Sequence, residues 1–206
     1  MICRKELDNF IGGGNIAYCD GNGNCHSAFN GDEKDEEPPQ TSLNEPKYKT
    51  LLNQALKLIP KTKLKFPNGL TRGFDGLIYV PSTVDGQIRV FSINDDKTLR
   101  QIDTIHVGMP LDNVSPDANG DLYVPGFPSL FQVLKGFASP YDEITPVSIW
   151  RIRKTVDAGP QGVRSVDYRV EKVIEDRESK VLAGATTVRH DAKTGRLFIG
   201  GEFMVL

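Results

Sequence analysis

Only three cysteines, Cys3, Cys19 and Cys25, and three histidines, His26, His106 and His190, occur in the 206 residues. No cysteine pair has CxxC spacing and no histidine cluster accompanies them, which excludes the common structural zinc modules and a disulfide-built scaffold. No apolar run reaches the roughly 18 to 20 residues that a transmembrane helix needs. The charged opening, residues 1–10, lacks a basic stretch followed by an apolar one, so neither a transmembrane segment nor an export signal is expected. Nor is there an excess of either charge. With 25 Lys and Arg against 27 Asp and Glu, the net charge of −2 gives no electrostatic reason to expect nucleic acid or an anionic membrane as partner. No serine sits in a G-x-S-x-G elbow, which removes the usual nucleophilic serine. Small-molecule chemistry or protein contact remains.

What the sequence does contain is enough apolar matter, 38%, for one globular domain, and an imperfect internal repeat. Asn68-Gly69 is followed by Asp75-Gly76 and then residues 77–80. Asp112-Asn113 is followed by Asn119-Gly120 and then 122–124, and Thr186-Thr187 by Thr194-Gly195 and then 197–199. Asn-Gly and Asp-Gly accept the positive φ of tight turns, and the alternating apolar residues after them suit half-buried strands. After the first hairpin come a turn at Asp85-Gly86, a strand over 87–93, a turn over 94–97 and a strand over 99–107. Four antiparallel strands in about 45 residues is the size of one β-propeller blade. Asn68 and Asn113, taken as the first two repeat starts, are 45 positions apart. The third start comes 73 positions after Asn113, so an insertion is expected, placed at the Pro- and Gly-containing stretch 137–162.

Upstream, 15–20 and 25–29 read as the outer hairpin of a preceding blade. Cys19 and Cys25 flank its turn, an arrangement open both to a bridge and to two separate thiols. Residues 30–64 read as a surface insertion, with an acidic, Pro-bearing loop and then a short amphipathic helix over 48–59. The expectation is an all-β chain, a single partial propeller domain over 1–206 with about three to three and a half blades. Fewer than the four blades of a closed ring points to a fragment whose unpaired strand edges favour self-association.

Two polar steps stand at the same place in successive blades: Asn68, and the pair Asp112 and Asn113. The innermost strand of a propeller blade lines the central tunnel, so such residues converge on the axis. Their carboxamide and carboxylate oxygens are hard ligands of the kind calcium takes. Asn-Gly and Asp-Asn are also ordinary turn dipeptides, and residue type alone leaves that reading open. The three histidines read as structural or solvated, and the acidic run 32–37 lacks the spacing of a calcium-binding loop.

The segments FPNGLTRGFDGLIYVPSTVDGQIRVFSINDD and LDNVSPDANGDLYVPGFP resemble, in motif, order and spacing, the second half of the serum paraoxonase/arylesterase family. VLAGATTVRHDAKTGRLFIGG resembles that family's last hairpin, and RKELDNFIGGGNIAYCD the segment leading into its fourth blade. The resemblance implies a six-bladed propeller with two calcium ions in its tunnel, Asn68, Asp112 and Asn113 being ligands of the catalytic one. It implies a calcium-dependent hydrolase of esters or lactones, secreted or extracellular, with a small-molecule substrate. The family's remaining calcium ligands and water-activating histidines belong to the part upstream of the segment matched by Met1, so no catalytic residue is identified in this chain. Phe127 stands where the family has a rim histidine, and the family's final strand and cysteine have no counterpart after GGEFMVL. Two other readings are a half-propeller binding module or defective fragment without catalysis, and a gluconolactonase-like or strictosidine-synthase-like propeller.

Overall fold

The computed structural model describes residues 16–29, 64–138, 145–158 and 164–201. The chain divides into two compact units, Met1–Pro67 with Ile93–Gln101, and Asn68–Ser92 with Ile102–Leu206. In the first, β1 (Ile16–Cys19) and β2 (Cys25–Phe29) form an antiparallel hairpin. Cys19 and Cys25 face each other across it and are joined by a disulfide, their Cα atoms 4.1 Å apart. The bridge left open by the sequence is therefore formed. The helix expected over 48–59 lies outside the described residues.

Twelve strands and one helix are described. The first four-stranded antiparallel sheet has the order β3 (Thr71–Arg72), β4 (Ile78–Pro81), β5 (Gln87–Ile93) and β6 (Leu99–His106). The second runs β7 (Ser115–Pro116), β8 (Leu122–Gly126), β9 (Val147–Ala158) and β10 (Arg164–Asp176). A two-stranded hairpin, β11 (Ala185–Asp191) and β12 (Arg196–Gly201), follows. These are the blades of an incomplete propeller, with the strands of each sheet in sequence order. Gly76 and Gly120, at φ +81° and +86°, close the equivalent turns of the first two blades in a backbone region that side chains avoid.

Two expectations are corrected. The register pairs Thr71 with Tyr79 in the first blade and Ser115 with Tyr123 in the second, a repeat of 44 positions. Asn68 is thereby the counterpart of Asp112, and Gly69 of Asn113. Counting between like residues, Asn to Asn, had placed the match one position late. The spacing to the third repeat is also not explained by an insertion over 137–162. That stretch contains β9, the third strand of the second blade, which pairs with β10 through twelve aligned positions. More of the extra length is α1 (Leu130–Ala138), begun by Ser129, whose hydroxyl accepts from the Gln132 amide. Leu130, Val133 and Gly136 form its buried stripe, and a Cβ on Gly136 would come within 2.6 Å of Thr145 Oγ1.

Period-two alternation places the second blade between two cores. Leu122, Val124 and Ile152 pack with Ile88, Val90, Ile105 and Leu111 of the first blade and its exit. Their sequence neighbour Tyr123 faces the other way, with Phe127, Ile149, Ala185 and Val188. β8 is buried along its whole length, and its turns therefore hold fixed positions relative to both neighbours.

Candidate functional site

Asn68 and Asp112 are docked the same way. The Asn68 amide donates to Pro81 O at 3.0 Å and the Asp112 amide to Pro125 O at 3.1 Å, each using the C-terminal end of its own blade's second strand. The steps precede β3 and β7, the first strands of their blades. Leu111 N reaches Ser82 O at 3.3 Å, tying the second step to the first blade.

Gly69 and Asn113 come still closer. A Cβ built on Gly69 would lie 2.5 Å from Asn113 Oδ1 and 3.4 Å from Asn113 Cα. Glycine after Asn68 thus does more than permit its φ of +70°: it leaves room for the carboxamide of the next blade. The third repeat start joins them, because Thr186 O accepts from Asn113 N at 3.2 Å and from Asn113 Nδ2 at 3.1 Å. Contacts through Asn113 thus join the starts of all three repeats, at Gly69 on one side and Thr186 on the other.

The polar atoms there are sorted. Asn113 Nδ2 also donates to Asp112 Oδ1 at 2.7 Å, and the same oxygen accepts from Asn113 N at 2.8 Å. Asn68 Nδ2 donates to Thr83 Oγ1 at 3.2 Å. Both carboxamides commit their NH2 ends to protein acceptors, which leaves the oxygen ends as the ones to meet a cation. Asp112, 7% exposed, supplies the single formal charge. Carboxamide oxygens with one carboxylate are a hard donor set of the kind calcium takes, short of its usual six to eight oxygens.

Sequence reasoning did not name Thr83 or Thr186 as part of this group. Thr186 carried a signal, since it opens the third repeat. Phe127, flagged as the departure from a rim histidine, is 3% exposed and packs in the second core beside Tyr123 and Val133, so it offers no open surface.

At the other end of β3 and β7 lies a different polar group. Asp75 accepts from Tyr79 OH at 2.8 Å and from Lys154 Nζ at 2.7 Å. Burial raises its carboxyl, but the Lys154, Tyr79 and Leu77 hydrogen bonds outweigh burial and hold it below the usual carboxylate range. Burial, and then the hydrogen bond to Asp75, push the Tyr79 hydroxyl far up. Asp121 is bound by Arg151 through Nε at 2.7 Å and through its terminal nitrogen. Asp75, Tyr79, Asp121 and Lys154, with the turn residues around Gly73 and Gly120, line a hollow of about 370 Å³.

Comparison with known proteins bears on the whole of this frame. At 28% identity over 173 aligned positions, the chain is similar to Protein STRICTOSIDINE SYNTHASE-LIKE 3 of Arabidopsis thaliana; the match covers 73% of this chain and 43% of that protein. The chain therefore spans less than half the length of the curated relative it matches. A family profile described as Arylesterase matches residues 54–204, which takes in the first two blades, their Asn68 and Asp112-Asn113 steps, and the hairpin β11–β12. On that span, the chain belongs to the arylesterase family.

Proposed function

We propose that this chain carries part of the calcium site of an ester and lactone hydrolase. The observation behind the reading is the contact of the Asn68-Gly69 step with Asn113, and of Asn113 with Thr186 of the third repeat, with both carboxamide NH2 ends tied to protein acceptors. These three residues would hold the ion. Bound there, calcium supplies a Lewis acid that polarises the ester or lactone oxygen and stabilises the charge that develops on it. Asp112 supplies the negative charge that draws the cation in, and Asn68 and Asn113 replace its water with fixed dipoles. Gly69 leaves room for the Asn113 carboxamide beside the Asn68 step, so that both would reach one ion. Family membership supports hydrolase-type chemistry and, at family level, calcium dependence.

On this reading, as the family resemblance implies, the water-activating group and the remaining ligands would belong to further blades, and turnover would need a polypeptide that includes them. The test is phenyl acetate hydrolysis with and without a chelator, by this chain and by a polypeptide supplying the further blades. Chelator-sensitive activity in the longer protein supports the reading. Absence of activity in both favours a non-catalytic binding module. The strictosidine synthase-like relative favours a second reading, a propeller of that type. Its discriminating result is a folded, substrate-binding protein indifferent to calcium.

A further inference from the structure

A carboxamide can meet a cation only with its oxygen, yet its two ends are nearly the same size. Something must therefore choose which end of Asn68 faces the site. Thr83 stands in the turn between β4 and β5 and is 5% exposed. Its hydroxyl donates to Leu111 O at 2.8 Å, a buried acceptor 28 positions away. With its proton committed, Thr83 Oγ1 has only lone pairs left, and Asn68 Nδ2 donates to them at 3.2 Å. A flipped Asn68 would set its oxygen against those lone pairs and leave its NH2 without this partner. The relay ends on the carbonyl of Leu111, the residue directly before Asp112 and Asn113.

We infer that Thr83 is a positioning residue for the site: its hydroxyl fixes the orientation of the Asn68 carboxamide and ties that residue to the strand entry bearing Asp112 and Asn113. The inference deepens the calcium reading and rests on it. Asn113 has an equivalent arrangement, its NH2 held by Asp112 Oδ1 and Thr186 O, but there the acceptors come from a ligand and a backbone. Thr83 alone does this with a side chain that has no ligand role, so it can be altered without removing a donor oxygen. Groups that orient ligands in this way typically affect metal affinity by about 10- to 100-fold.

Terbium, a hard trivalent cation with the oxygen preference of calcium, is the probe, titrated into the full chain. Its luminescence decay in H2O and D2O counts the waters bound directly to the ion. The variant Thr83→Val keeps the shape and removes the hydroxyl. It is expected to weaken terbium binding at least about tenfold and to add about one bound water where the Asn68 oxygen is lost. Thr83→Ser is expected to restore both affinity and water count, and Thr83→Val is expected to change nothing further in an Asn68→Ala background. Wild-type affinity and hydration in Thr83→Val would overturn the inference, as would an equal additional loss in the Asn68→Ala background. Should Thr83→Val not fold, nuclear magnetic resonance of the wild type decides. A slowly exchanging Asn68 side-chain NH2, with its carbonyl carbon shifting on calcium addition, supports the inference; a fast-exchanging NH2 contradicts it. If the wild type binds no terbium at all, the calcium reading itself has failed, a result distinct from every outcome above.

Discussion

His190 Nδ1 lies 2.7 Å from Asp117 Oδ2, linking β11 to the β7–β8 turn across 73 positions of sequence. The Asp117 side chain is fully buried, and its other oxygen accepts from the Asn119 and Asp121 amides at 2.9 and 3.0 Å. The imidazole stacks on Tyr123, ring centroids 4.5 Å apart. The pair joins the second blade to the third hairpin at the end of the strands away from Asn68 and Asp112. Asp117→Ala removes the acceptor for two backbone amides and the imidazole together, and is expected to cost about 3 kcal/mol in denaturant unfolding. A loss under 1 kcal/mol would show that water replaces these contacts.

Gly69→Ala is expected to damage the site more than the fold. The added methyl meets Asn113 Oδ1, and alanine at a φ of +70° is strained. The strain costs about 1 to 2 kcal/mol of stability, and displacement of the Asn113 carboxamide weakens calcium binding at least about tenfold. Calorimetric binding curves of the two proteins check this. Unchanged affinity would mean that Asn113 takes no part.

Acid sensitivity follows from Asp75. Its folded pKa is depressed, chiefly by the Lys154, Tyr79 and Leu77 hydrogen bonds working against burial. A depressed carboxylate contributes stability above its unfolded pKa and loses it as the pH falls below about 4 and through the folded value. Unfolding midpoints measured from pH 5 downward should fall less steeply for Lys154→Met than for the wild type. Parallel slopes would place the acid lability elsewhere.

The Cys19–Cys25 bridge closes a short loop, and in the loop-entropy account that is worth about 2 kcal/mol. Reductant is expected to speed amide exchange across β1 and β2 accordingly. Identical exchange with and without reductant would mean that the thiols are not joined.

Among the described residues the β11–β12 sheet has two strands, and Phe198 on it is 62% exposed. An unpaired edge beside an exposed aromatic favours association. The chain is expected to elute from size-exclusion chromatography as oligomers; a sharp monomeric peak with cooperative thermal unfolding contradicts this.

Much of this architecture is written locally. Asp75-Gly76 and Asn119-Gly120 announce turns because only certain residues accept positive φ, and Leu122, Tyr123 and Val124 announce a strand because both its faces are buried. Asn68, Asp112 and Asn113 were legible through repetition, which puts like positions in like places. The 44-residue register was not, because the repeat preserves the fold's hydrogen bonds, Asn68 to Pro81 and Asp112 to Pro125, and not residue identity. Thr83 and the pairing of His190 with Asp117 depend on partners 15, 28 and 73 positions distant, which no local pattern encodes. The helix α1 was missed because nine residues span too few turns for a helical period to stand out from a strand.

The most direct test of the calcium site is titration of calcium into the full chain by calorimetry, wild type beside Asp112→Ala. Asp112 carries the only formal charge among the three proposed ligands, so its loss is expected to weaken binding more than Asn68→Ala or Asn113→Ala does. A saturable wild-type response largely abolished in Asp112→Ala is the predicted result; identical responses from the two proteins would contradict the assignment.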